Sequence, residues 1–238
     1  LGEKAGGLLQ SWCESKGVTV HTNTQVKAIE STSDELQVVL ENGETCPADV
    51  VIVSTGVKPR LHYLEGCDIN IDQGIVVDVH MQTNQPDVYA AGDCAQGLDF
   101  STGETAVHAV QPTATEHGRI AAANMVGGNN LPYKGSLNMN ILDTLGLVTC
   151  SFGAWEGVAG GDSAEMYNPD NHQYVNLQFK DDVLVGANSV GYHEHLGVLR
   201  GLIETQIPLG EWKDRLKQNP VGLVDAYQGV NQAALQNG

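Results

Sequence analysis

Positive charge is scarce in this sequence of 238 residues. Twelve Lys and Arg stand against 29 Asp and Glu, a formal net charge of −17. Acidic residues outnumber basic ones on both sides of residue 128, so neither half hides a basic face on this count. Nucleic acid and an anionic membrane surface both need clustered Lys and Arg, and both are excluded as partners. Long apolar runs are missing as well. The stretch 48–53 is about the longest, far short of the roughly 18 residues that a membrane span requires. No basic-then-apolar leader opens the chain. The five cysteines (Cys13, Cys46, Cys67, Cys94 and Cys150) include no C-x-x-C pair. That spacing excludes a zinc site built on cysteine pairs and a disulfide scaffold, and it points to a reducing cytoplasm. Finally, no G-x-G occurs anywhere, so the glycine-rich turn that cradles a dinucleotide pyrophosphate is absent from these residues.

What is present describes a folded chain. Apolar residues make up 41%, and they recur with structural periods. Leu1, Ala5, Leu8, Leu9 and Trp12 have helical spacing, which predicts a helix over 1–16 stopped by Gly17. Short strands are expected at 18–20, 25–29 and 36–40, the last entering an Asn42-Gly43 hairpin turn. Residues 49–54 (DVVIVS) read as a strand buried on both faces. Further strands are expected at 74–78 and 88–91. A helix follows from Pro112 to Gly127-Gly128, with proline in the favourable first turn. The texture changes near 128–133. Beyond it, 174–179 and 183–187 read as a hairpin across Asp181-Asp182, and helices are expected at about 194–205 and 209–217. His193 and His195 share a face if extended, but with only Glu194 beside them they read as a turn, and no metal site is expected.

The stretch from Thr83 to Asp93 carries the chemistry. It reads as a buried strand ending in a small-residue turn, with Ala91 and Gly92 allowing close approach of a ligand to the backbone. Asp93 would present a carboxylate at the carboxyl end of that strand, where open α/β sheets bind ligands. Ionised, it accepts hydrogen bonds from hydroxyl groups at about 1.5–3 kcal/mol each. Cys94 reads as a packing residue, Arg119 as a surface or interface charge, Lys58 as a loop lysine and Trp155 as core.

Three ordered motifs resemble the FAD- and NAD(P)H-dependent pyridine nucleotide–disulfide oxidoreductase superfamily. Thr83 through Asp93 is similar to its second FAD motif. Residues 51–59 (VIVSTGVKP) resemble the segment closing the NAD-binding domain, and 111–122 (QPTATEHGRIAA) the helix after the second FAD motif. The branch most resembled is the rubredoxin reductase and nitrite reductase flavoprotein type. The resemblance implies an α/β fold with an α+β C-terminal domain. It divides the chain into the C-terminal half of an NAD(P)H-binding Rossmann-like domain (1–57), the C-terminal half of an FAD-binding domain (58–130) and a C-terminal interface domain (131–238). It implies that Asp93 hydrogen-bonds the ribityl chain of FAD while Gly92 lets the cofactor pass. Gln111, Pro112, Thr113 and Ala114 would face the flavin pyrimidine ring, where free N–H groups and the positive helix end suit the C2 carbonyl. Thr55 and Gly56 would lie near the nicotinamide path.

The superfamily needs two G-x-G-x-x-G turns and this sequence has none, so the expectation is a C-terminal fragment of a flavoprotein oxidoreductase. Such an enzyme passes a hydride from NAD(P)H to FAD and electrons onward to a small molecule or a small redox protein. The catalytic groups are not assigned, and the resemblance allows a homodimer through the C-terminal domain. The alternative is a non-catalytic structural or interaction module that keeps part of the flavoprotein fold.

Overall fold

The computed structural model describes residues 1–31, 35–128 and 130–236, with side chains up to residue 232. It is a mixed α/β structure in two units, residues 13–58 and the remainder, with helix α1 (Glu3–Ser15) running from one into the other.

In the 13–58 unit, β1 (Val26–Ser31), β2 (Leu36–Leu40) and β3 (Thr45–Ala48) form an antiparallel sheet in that order. The expected Asn42-Gly43 turn closes β2 onto β3. Gly43 takes a φ of +90°, and the Leu40 amide donates to Glu44 O at 2.9 Å. Two expectations fail here. Residues 18–20 form no strand, and neither does 49–54. Val50, Ile52 and Val53 are 74%, 85% and 70% exposed. A continuous apolar run becomes a buried strand only between neighbours that share its ladder, and no described strand pairs with this one.

In the other unit a small sheet carries the order β4-β5-β6, from β4 (Ile75–Val76), β5 (Ala95–Leu98) and β6 (Thr105–Ala106). β4 and β5 run parallel, and β5 and β6 antiparallel. Helix α2 (Gln111–Gly127) lays Ile120 and Ala121 onto this sheet beside Met81, Ala90 and Tyr133. It stops, as its sequence predicts, at Gly128 in the left-handed conformation.

The last hundred residues build a five-stranded antiparallel sheet. Its strands are β7 (Met139–Thr144), β8 (Leu147–Gly153), β9 (Asp162–Asn168), β10 (Gln173–Lys180) and β11 (Val183–Val190), in the order β7-β8-β11-β10-β9. Helices α3 (Leu196–Thr205), α4 (Glu211–Gln218) and α5 (Leu223–Gln236) cover one face, packing Leu199, Leu202, Leu216 and Ala226 against Val175, Leu177 and Phe179. The opposite face is covered by the start of the chain. Ala5 and Leu8 of α1 bury against Leu147, Tyr174 and Val190, and the Trp12 indole N–H donates to Thr144 O at 3.0 Å. Leu8 is only 3% exposed. Leu8→Ala should therefore lower stability by about 2–5 kcal/mol, read as a fall in the urea midpoint; an unchanged midpoint would show that α1 does not pack there in solution.

Candidate functional site

The Gly92–Asp93 turn differs from the expectation in one respect. Residues 88–91 are not a strand. Their backbone groups are taken by a short irregular ladder with 81–83, in which Thr83 N donates to Val88 O at 2.8 Å and Ala90 N to Met81 O at 3.1 Å. Gly92–Cys94 is a single 3-10 turn that leads directly into β5. Asp93 thus stands before a strand rather than after one. The carboxylate is still exposed at the tip of the turn.

The turn and the start of α2 meet. Gly92 has a φ of +79°, and a Cβ added there would lie 3.6 Å from Ala114 Cβ. Any larger side chain would occupy the space between turn and helix, and the positive φ favours glycine. No side chain caps α2. Its N-cap is Val110, in an extended conformation, with Pro112 in the first turn. The first N–H groups of a helix have no partner inside it, so Gln111 and Thr113 bring an uncapped, electropositive helix end to the Asp93 turn, whereas Ala114 N already donates to Val110 O at 3.0 Å. Gly92, Asp93 and 111–114 are therefore brought together. Thr55 and Gly56 are exposed residues of the 13–58 unit, with Gly56 at a φ of +92°. Arg119 pairs with Glu116 at 2.7 Å, and Cys94 is half-buried with its thiol 3.5 Å from Ala91 O.

Behind the turn lies a polar chain that sequence reasoning missed. His108 Nε2 is 3.1 Å from Asp99 Oδ2, and Nδ1 is 2.6 Å from Ser136 Oγ. The Ser136 hydroxyl lies 3.3 Å from Leu98 O. Asp99 also accepts from Ser101 N at 2.7 Å. Burial alone would raise the Asp99 carboxyl, but the His108 hydrogen bond, that of Ser101 and the His108 charge outweigh it and hold it below the ordinary carboxylate value. Apart from Ser101, these partners are separated in sequence, Ser136 by 28 residues from His108, and no local pattern links them. His117 did carry a signal: it lies at helical spacing between Thr113 and Ile120, on the buried face of α2. Its ring is 1% exposed and meets Tyr133 edge to face at 4.8 Å. Neither ring nitrogen has a hydrogen-bond partner among the described residues. Among those residues, no group of three His, Cys, Asp or Glu could hold a metal ion, and no helix is long and apolar enough to cross a membrane.

Residues 1–113 match the family described as pyridine nucleotide-disulphide oxidoreductase. Over those residues the chain is similar to that family. It is 31% identical over 221 residues to the NADH-dependent phenylglyoxylate dehydrogenase subunit epsilon of Aromatoleum evansii, covering 92% of this chain and 52% of that protein. It is 25% identical over 211 residues to the nitrite reductase [NAD(P)H] of Bacillus subtilis, covering 89% of this chain and 26% of the relative. The chain thus spans about half, or less, of the curated relatives it matches. Among solved structures, an NAD-dependent persulfide reductase from A. fulgidus superimposes with a TM-score of 0.76 at 27% identity, over 89% of this chain and 42% of that one. A putidaredoxin reductase in covalent complex with putidaredoxin gives a TM-score of 0.83 at 22% identity, over 97% and 55%, and shows the shared fold.

The buried ring of His117 predicts a pH dependence of stability. Burial, and to a smaller extent the charge of His108, hold His117 below the ordinary imidazole value of 6.5, against an opposing contribution from Glu116. Tyr133, Met81 and Gly97 complete its surroundings. A group whose folded value is depressed is bound by protons more tightly in the unfolded chain, so stability should fall as pH drops below about 6.5. His117→Phe keeps the ring contact and removes the titration. Urea unfolding from pH 7 to 5 should show a smaller loss in this variant than in the parent; equal losses would exclude His117 as the cause.

Proposed function

We propose that the chain is the C-terminal part of a flavin-dependent NAD(P)H oxidoreductase. The observation that carries the reading is the seating of the Gly92–Asp93 turn against the uncapped start of α2, in a chain whose relatives include NADH-dependent enzymes. These residues fit one end of FAD. Asp93 accepts from ribityl hydroxyls, and Gly92 leaves the space that a side chain would fill. The amides of Gln111 and Thr113 donate to the flavin pyrimidine ring, with Ala114 beside them bonded to Val110 O, while Pro112, which has no N–H, sets the helix direction without competing. Bound there, FAD supplies acceptance of a hydride and onward release of electrons. The pyrophosphate end of FAD has no counterpart among these residues, because no G-x-G turn occurs. Thr55 and Gly56 are assigned to the nicotinamide path.

The finer reading follows the same residues. Residues 1–57 belong to the NAD(P)H-binding Rossmann-like domain, 58–130 to the FAD-binding domain and 131–238 to an interface domain that supports a homodimer. The electron acceptor is a small molecule or a small redox protein. A net charge of −17 favours a basic or mixed-charge acceptor surface. A cytoplasmic location agrees with the five cysteines, none in a disulfide among the described residues.

The decisive experiment is flavin content. In the intact protein, Asp93→Ala should lower the flavin absorbance at about 450 nm per mole of protein, a band that belongs to the cofactor, while Arg119→Ala leaves it unchanged. Equal flavin content in the Asp93 variant and the parent would remove Asp93 from the site.

A further inference from the structure

Away from the α2 site, one cluster joins a nucleophile to a base and to the group that orients the base. Glu44 and Cys46 lie two residues apart, where the chain turns out of the Asn42-Gly43 hairpin and into β3. Residues two apart on an extended segment share a face. β3 is the edge strand of its sheet. His21, in the irregular segment before β1, reaches both side chains. Its Nδ1 is 3.1 Å from Glu44 Oε2, and its Nε2 is 3.8 Å from Cys46 Sγ. With the carboxylate accepting from Nδ1–H, the ring turns the lone pair of Nε2 toward the thiol. Activated cysteines need this order: a base within reach of the thiol, held in one tautomer by a third group.

Three of the other four cysteines, Cys150, Cys94 and Cys67, differ in kind. Cys150 is buried, and burial pushes its thiol up to about 11, against weaker hydrogen bonds from Ser189. Cys94 bonds the carbonyl of Ala91. Cys67 is more exposed than Cys46 but has no histidine bonded to it among the described residues. Exposure and activation are therefore separated in this chain: the more accessible thiol lacks a base, and the half-buried one has it.

We propose that Cys46 is a thiol-exchange site for a low-molecular-weight disulfide, with His21 as its base and Glu44 as the residue that positions the base. His21 takes the thiol proton, and the Cys46 thiolate attacks one sulfur of the disulfide. That S–S bond breaks as the mixed disulfide on Cys46 forms, and the departing thiolate takes the proton back from His21. One disulfide is consumed and one is made, so no other oxidant enters. A second low-molecular-weight thiol reverses the step. The site uses none of the residues assigned to flavin, and it stands or falls separately from that reading.

The probe is oxidised glutathione at neutral pH on the intact protein, with mixed disulfides located by peptide mass spectrometry. Cys46 should be modified at least about tenfold faster than Cys67, which leaves room for the greater exposure of Cys67 within the roughly hundredfold or more that a positioned base confers. His21→Asn should bring Cys46 down to the Cys67 rate, and Glu44→Gln should slow it severalfold, with Cys67 unaffected in both. The comparison within the parent protein needs no variant, so a folding defect cannot obscure it. Unmodified Cys150 marks the folded state in every sample. A Cys46 rate no greater than that of Cys67, or one unchanged by His21→Asn in folded protein, overturns the proposal.

Discussion

A carboxylate as enclosed as Asp99, whose side chain is 7% exposed, is stable only when paired and hydrogen-bonded. Its partner is His108, and the second nitrogen of His108 is met by Ser136, which lies beyond the whole of α2 in sequence. Satisfying Asp99 therefore obliges the chain to leave β5, traverse the helix and return to the same place. The return is held by backbone bonds as well: Phe100 N donates to Ser136 O, and Ser136 N to Leu98 O, both at 2.9 Å. Gly135, at a φ of +102°, makes the approach feasible, since a Cβ there would come within 2.9 Å of Phe100 N. The far end of the excursion is pinned by Asn124, which donates to His80 O and Leu131 O and accepts from Leu131 N.

These two polar anchors explain why the N-terminus of α2 can stay bare. A helix usually gains on the order of 1 kcal/mol from a capping side chain. Here Val110 offers none, and the helix is positioned instead by Ile120, Ala121, His117 and Asn124 on its buried face. The helix start beside the Gly92–Asp93 turn is left without a capping side chain. Gly92 serves the same geometry from the other side, because its positive φ turns the chain without placing a side chain before the helix.

The surface contributes charge rather than rigidity. Several of its few cations are held in local pairs, Arg119 with Glu116, Arg200 with Glu204 and Arg215 with Glu211, each within one turn of helix. Exposed pairs of this kind contribute little stability. They do neutralise neighbouring acids, so the excess negative charge is carried by residues outside these helices as well.

The local elements were legible where the period is short. The Asn42-Gly43 and Asp181-Asp182 turns, the glycine stops after α1 and α2, and the hairpin of β10 and β11 follow from neighbouring residues, because a turn or a cap is decided within about four residues. The motif residues of the α2 site were legible too, since Gly92, Asp93 and 111–114 sit in two short runs. Other features depended on distant partners. Residues 49–54 have the composition of a buried strand and lack the neighbouring ladder that would make one. β9 has a mostly exposed burial pattern and is a strand because β10 pairs with it. α5 was not expected: Leu223, Ala226 and Val230 have helical spacing, but the composition around them is too polar to stand out. The packing of α1 on the C-terminal sheet, the chain from Asp99 to Ser136 and the contact of His21 with Cys46 are long-range. The sequence by itself determined the short turns, the helix stops, the hairpin of β10 and β11 and a resemblance to a family. The tertiary structure alone decided which polar groups are buried together, because burial and pairing are properties of a neighbourhood and not of a residue.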